Sequence, residues 1–175
     1  MKEAKEVKAY LANQLGFSET GRLILDNYIK PKITAMGIII NDPFVECGKE
    51  LDLARLSLLK SYAEVMSYWR NFNLKVTPIN NGLMRRSNCL LGILDGAHAL
   101  DDGVSGEISF YAALELGPIF ALRTDLRGGE NIATLINPQI LGYILMSEGF
   151  LSTSLADWFA GIKKWKDAFV HGDND

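Results

Sequence analysis

Two cysteines in 175 residues are too few for a disulfide framework, and Cys47 and Cys89 are not spaced like metal ligands. No structural or catalytic metal is therefore expected. Lys and Arg number 18 against 21 Asp and Glu, a net charge of -3. Nowhere do the basic residues gather densely enough to neutralise a phosphate backbone, which argues against a nucleic-acid partner. Long apolar runs are missing too. The longest uncharged tract, residues 131–147, contains Asn131, Thr134, Asn137, Pro138 and Gln139, which bilayer hydrocarbon would penalise. The opening MKEAKEVK mixes both charges and has no apolar core of a secretory signal. A reduced, cytoplasmic protein without membrane contact is the expectation. The spacing G-x-G-x-x-G is also absent, and the loop carrying Gly103 and Gly106 is acidic where a pyrophosphate would need neutral or basic groups. No dinucleotide or other cofactor is expected.

What is present is 48% hydrophobic residues in short runs that alternate with helical patterns, the layout of an α/β domain with a parallel sheet. No linker or repeat interrupts it, so residues 1–175 read as one domain with a frayed polar tail from about 171. Val7 to Ala12 reads as a first strand. Ser18 is placed to cap a helix that Pro31 kinks or divides and Gly37 ends. Ile38 to Ile40 reads as a second strand, closed by Asn41-Asp42-Pro43. Leu51, Leu58, Tyr62, Val65 and Trp69 form the stripe of one long helix from about Lys49 to Phe72. Thr77-Pro78 then reads as the start of a short helix to about Arg86. Cys89 to Leu94 and Ile119 to Arg123 read as further strands, and a fifth is expected within 72–77. Helices over 104–116, 137–147 and 156–169 complete a doubly wound, flavodoxin-like sheet of four to five strands with helices on both faces. Trp69, Trp158 and Trp165 fall in these helical patterns and read as packing residues.

Ligands of open α/β sheets sit outside the carboxyl ends of the strands. That singles out residues 12–18, 41–44, 95–107 and 124–127. The richest is the loop AHALDDGVSGE after the third strand. It puts Asp101, Asp102 and Glu107 just before or within the first turn of the next helix. The helix start should favour ionised Glu107, while mutual repulsion should raise the loop aspartates so that one lends a proton. A nucleophilic carboxylate beside a proton donor is what glycosyl transfer requires. Acidic residues in a first turn, and DDG as a turn, also occur for stability alone. His98, alone in that loop, reads as a solvated residue.

The string LDDGVSGEISFYAA, residues 100–113, resembles the motif of the nucleoside 2-deoxyribosyltransferase family. In that motif an Asp, a Gly two residues on and a Glu six residues on precede I-G-Y-A, here Asp101, Gly103 and Glu107. AYLA with LGFSETGR, CLLGILDG and ALRTDLR agree in order, so the likeness spans about residues 6–145. The resemblance implies a cytoplasmic, homo-oligomeric enzyme of nucleoside salvage that moves 2-deoxyribose between free nucleobases with retention and needs no cofactor. Glu107 would be the nucleophile, Asp101 the residue that helps protonate the base, and Tyr10 the residue that orients the nucleophile. It further implies substrate contacts from Asp102, Gly103, Asn80, Asn13 and Phe17, and from Asn137 across a subunit interface. Departures from the family pattern are Asn13-Gln14 for Gly-Pro, expected to enlarge and polarise the pocket, and Ser109 for a glycine, expected to crowd its helix. Asn80 stands where some members carry an Asp. Relatives that hydrolyse 5′-monophosphates use a serine where this chain has Asp101, which argues for an unphosphorylated sugar. An N-glycoside hydrolase and a non-catalytic nucleoside-binding module remain the alternatives.

Overall fold

The computed structural model describes residues 5–96, 100–125 and 136–172. Five parallel strands form one sheet: β1 (Val7–Asn13), β2 (Ile38–Asn41), β3 (Cys89–Ile93), β4 (Ile119–Leu122) and β5 (Phe150–Ser152), in the order β2-β1-β3-β4-β5. This is the flavodoxin-like arrangement, whose order reverses between β1 and β3. Side chains alternate across the pleat, so the buried runs feed two cores. Val7, Ala9, Leu11, Leu91, Ile93, Phe120 and Leu122 face one way. They pack there on Leu25, Ile29 and Ile33 and on Trp158 and Ile162 of the C-terminal helix α8 (Leu155–His171). The Trp158 indole N–H donates to the Phe120 carbonyl at 3.0 Å, so even the largest buried ring leaves no polar atom unpaired. Tyr10, Ala12, Leu90, Leu94, Ile119 and Ala121 face the other way, with α6 (Asp102–Ala113) and α7 (Pro138–Met146) above them.

The helix after β1 begins as α1 (Glu19–Ile24), capped by Ser18, and ends as α2 (Lys30–Ala35). Between them Leu25–Ile29 is a π-helical turn. Pro31 has no N–H to give, and the wider turn just before it lets the chain continue without a break.

The region after β2 departs from the sequence expectation. The stretch 49–72 is not one helix: α3 (Pro43–Gly48), α4 (Leu53–Leu58) and α5 (Tyr62–Arg85) follow one another. Asp42, Asp52 and Ser61 cap their three starts, Ser61 with a full capping box to Glu64. Residues 72–77 are helix rather than strand, and Thr77-Pro78 lies inside α5 instead of opening a helix. A proline costs a helix interior about 3 kcal/mol; here the C-terminal turns of α5 anchor Leu83 and Met84 in the core, and burial offsets that loss. The fifth strand is Phe150–Ser152, too short to register as a hydrophobic run. From Phe44 through Gly82 no residue is fully buried. The C-terminal helix runs through His171, and residues 173–175 lie outside the described part. Among the described residues no helix is long and apolar enough to cross a membrane.

Candidate active site

At the switch point, β1 brings Tyr10 against the helix that follows β3. The Tyr10 hydroxyl donates to Glu107 Oε1 at 2.6 Å, and Tyr10 itself is completely buried. Asn80, near the C-terminal end of α5, donates its amide to the same oxygen at 3.1 Å. Glu107 Oε2 takes no hydrogen bond from the described residues. One carboxylate oxygen is thus held by two donors and the other by none of the described residues.

Glu107 is the sixth residue of α6, one turn deeper than its expected place at the helix start. The Val104 and Ser105 N–H groups of that start donate to Asp101, and burial decides the titration instead. Desolvation pushes the Glu107 carboxyl up to about 7, with the Asp101 charge acting the same way and the bonds from Tyr10 and Asn80 opposing it. This corrects the expectation that the helix start would favour ionised Glu107: burial outweighs it. In the acidic trio the carboxyl that burial and a like charge raise is Glu107. The Tyr10 hydroxyl is raised as well, by burial first and then by Glu107, and stays a donor.

Asp101 caps α6: one carboxylate oxygen accepts the Val104 N–H at 3.0 Å, and its carbonyl accepts from Ser105. The second oxygen is free of that cap. Asp102 is the exposed first residue of the helix. Gly103 lies tight against Asp101, since a Cβ there would come within 2.9 Å of Asp101 Oδ1; a side chain would displace the carboxylate. Gly96, where the chain leaves β3, has φ +117, a conformation only glycine takes freely. Asp95 beside it accepts the N–H groups of Thr124 and Asp125 and the Thr124 hydroxyl. It ties the exits of β3 and β4 together, joining the CLLGILDG and ALRTDLR segments.

The other residues expected at the site are placed as follows. Asn13 is buried, accepts from the Gly16 N–H and donates to the Leu11 carbonyl, while Gln14 donates to the Leu94 carbonyl. The Asn13 amide holds the backbone of its own turn, and Gln14 links that turn to the exit of β3. Phe17 is 76% exposed, its ring edge-on to Phe44 at 4.9 Å. Ser109 donates to the Ser105 carbonyl, so its hydroxyl turns along its own helix. Asn137 is an exposed cap for α7, accepting from the Gln139 N–H at 2.9 Å. His98 and residues 126–135 lie outside the described part. Cys47, which its isolation in the sequence left without a role, has its thiol 3.4 Å from the Asn80 carbonyl oxygen.

No family model matches the chain, and no curated protein matches it. Solved structures do. A 2-deoxyribosyltransferase from Leishmania mexicana superposes with a TM-score of 0.58 over 90% of this chain and 97% of its own, at 14% identity. The fold is that of a 2-deoxyribosyltransferase. A conserved protein from Enterococcus faecalis V583 gives 0.61 over 92% of this chain and 99% of its own, at 22% identity. The 2-deoxyribosyltransferase of Bacillus psychrosaccharolyticus gives 0.50 over 79% and 82%, at 14%. At such identities the likeness is one of architecture, and chemistry must be argued from the side chains.

Proposed function

We propose that the protein is a nucleoside 2-deoxyribosyltransferase that works through a glycosyl ester on Glu107. The observation that carries this reading is the Tyr10 and Asn80 clamp on a single oxygen of Glu107, at the crevice end of a sheet with the transferase topology. In the first half-reaction Glu107 Oε2 attacks C1′ of a 2′-deoxynucleoside. The C1′–N bond breaks with its electron pair going to the base, which Asp101 helps to protonate through the oxygen that the helix cap leaves free. In the second, a nitrogen of another base attacks C1′ from the vacated side and gives its proton to Asp101, which the first half-reaction left without one. The ester bond breaks, and the carboxylate is restored. Two inversions give retention. Burial raises Glu107 toward neutrality, which makes its carboxylate more basic than an exposed one, and the two donors keep a working fraction ionised at pH 7 and above.

Incubating the purified protein with deoxyinosine, with and without adenine, tests the reading. Deoxyadenosine and hypoxanthine should form together only when adenine is present. Free deoxyribose formed at equal rates with and without acceptor would make the protein an N-glycoside hydrolase, and binding without turnover would make it a nucleoside-binding module.

The active form on this reading is a homo-oligomer, with Asn137 reaching a neighbour's site. Within α7, Ile140 and Ile144 cover the chain's own sheet, while Leu145 and Met146 are exposed. Exposed apolar side chains of this kind are commonly covered by closed symmetric association. Mixing inactive Glu107→Ala chains with inactive Asn137→Ala chains should restore part of the activity, because a mixed pair holds one intact composite site. A fully active monomer by light scattering at assay dilution would end the assignment of Asn137.

A further inference from the structure

Asn80 is held at both ends of its amide. Its Nδ2 donates to Glu107 Oε1 at 3.1 Å and its Oδ1 accepts from the Cys47 thiol at 3.4 Å. We propose that Asn80, its amide oriented by Cys47, is a positioning residue for Glu107. Together with Tyr10 it fixes Oε1 and directs Oε2 to the sugar. This rests on the reading of Glu107 as nucleophile, and it moves Asn80 from the substrate to the carboxylate.

The two ends of a primary amide are alike in shape, so hydrogen bonding alone decides which one meets Glu107. Turned over, Asn80 would press its carbonyl oxygen against Oε1, acceptor on acceptor. A thiol S–H on the far side favours the productive orientation. Burial and the neighbouring acidic groups raise Cys47, Glu107 first among them and then Glu46, Glu50 and Asp42, which keeps the thiol protonated and donating. The groups around Glu107 come from every element packed on it: Tyr10 from β1, Asn80 from α5 and Asp101 from the cap of its own helix, with Cys47 of α3 beyond the amide. Asp42, which caps α3, acts on Tyr10 and Cys47 and is itself bridged to Lys30 at 2.5 Å. Asn80 is the neutral donor among these acidic groups.

The test titrates the Glu107 carboxyl by NMR in glutamate-labelled protein, with Glu107→Gln to identify the resonance. The pH dependence of kcat/KM for cleavage of an aryl deoxyriboside, whose leaving group needs no proton from Asp101, is followed in parallel. Asn80→Ala should move the Glu107 midpoint up by about one pH unit, a roughly tenfold loss of kcat/KM at pH 6 that is largely recovered at pH 9. Cys47→Ala should move it the same way with a two- to threefold loss, on the order expected for one weak hydrogen bond. Cys47→Ser, which keeps a donor, should restore the wild-type midpoint. An unmoved midpoint in Asn80→Ala with a raised KM would overturn the proposal and return Asn80 to the base. An unmoved midpoint in Cys47→Ala, or equal shifts in Ala and Ser, would remove Cys47 from it. Shifted midpoints in a protein whose wild type cleaves no deoxynucleoside would uphold the clamp and refute the transferase reading instead.

Discussion

Glu107→Ala should lose three or more orders of magnitude in deoxynucleoside cleavage while remaining folded, the loss typical of removing a nucleophile on which every turnover depends. Wild-type protein held with a slow 2-fluoro substrate should gain the mass of one sugar, and Glu107→Ala should not. Turnover within about tenfold of wild type in Glu107→Ala, or no adduct on the wild type, would remove Glu107 from the role. The pH profile follows from the same burial. On that reading a carboxyl raised to about 7 must lose its proton to react, so cleavage of an aryl deoxyriboside, whose leaving group needs no proton, should rise with pH and level off above that value. Stability should run the opposite way. Below the ordinary value of 4.5 both folded and unfolded chains hold the proton; between 4.5 and about 7 only the folded chain does. Ionisation therefore costs the folded state as pH climbs through that window, and the cost persists above it. Glu107→Gln carries no such cost and should be more stable than wild type at pH 8, by on the order of 1–2 kcal/mol after allowance for partial solvation. A carboxylate that is both needed for turnover and a burden to the fold is what separates a working site from an acidic helix start retained for stability.

The strands that run continuously apolar were legible because a strand buried on both faces must be apolar throughout. Val7–Asn13 and Cys89–Ile93 match their sequence bounds to within a residue. Phe150–Ser152 was not legible, because three residues carry no periodicity. It is recruited as an edge strand by β4, with Leu122 paired to Ser152. The region 49–78 misled for a different reason. Its apolar residues recur at helical spacing, but Asp52 and Ser61 each start a new helix by capping, and caps interrupt a stripe without altering its period. Pro78 lies within a helix that tertiary contacts hold through it. In the candidate site, Glu107 and Asp101 stood out because a motif and the strand-end rule fell on the same loop, and Tyr10, named by the family resemblance alone, is hydrogen-bonded to Glu107. The Cys47–Asn80 link joins two helices across 33 positions of sequence, a contact that spacing cannot announce. The raised state of Glu107 was likewise hidden, since it depends on how much water the packed Tyr10 and α5 exclude, not on which residues neighbour it in the chain.

Asp101→Asn should separate the leaving group from the sugar. Asp101 and Glu107 are close enough for the Asp101 charge to raise Glu107, yet their surroundings differ. Glu107 is clamped by Tyr10 and Asn80, whereas Asp101 places one oxygen on the helix cap and leaves the other outside it. An asparagine side-chain oxygen would still accept the Val104 N–H, so the cap and the course of α6 should survive the change. What is lost is the ability to deliver a proton, worth about 10²–10⁴-fold where a departing base needs one. Cleavage of deoxyinosine and deoxyadenosine should fall by that order. An aryl deoxyriboside whose phenolate leaves unaided should be cleaved within about tenfold of the wild-type rate. Removing the like charge should also let Glu107 ionise at lower pH, so the acid limb of the aryl reaction should move down in Asp101→Asn, opposite to its displacement in Asn80→Ala. Equal losses on both substrates would place Asp101 on the sugar instead of the base. An acid limb that stays in place would mean that its charge does not reach the nucleophile.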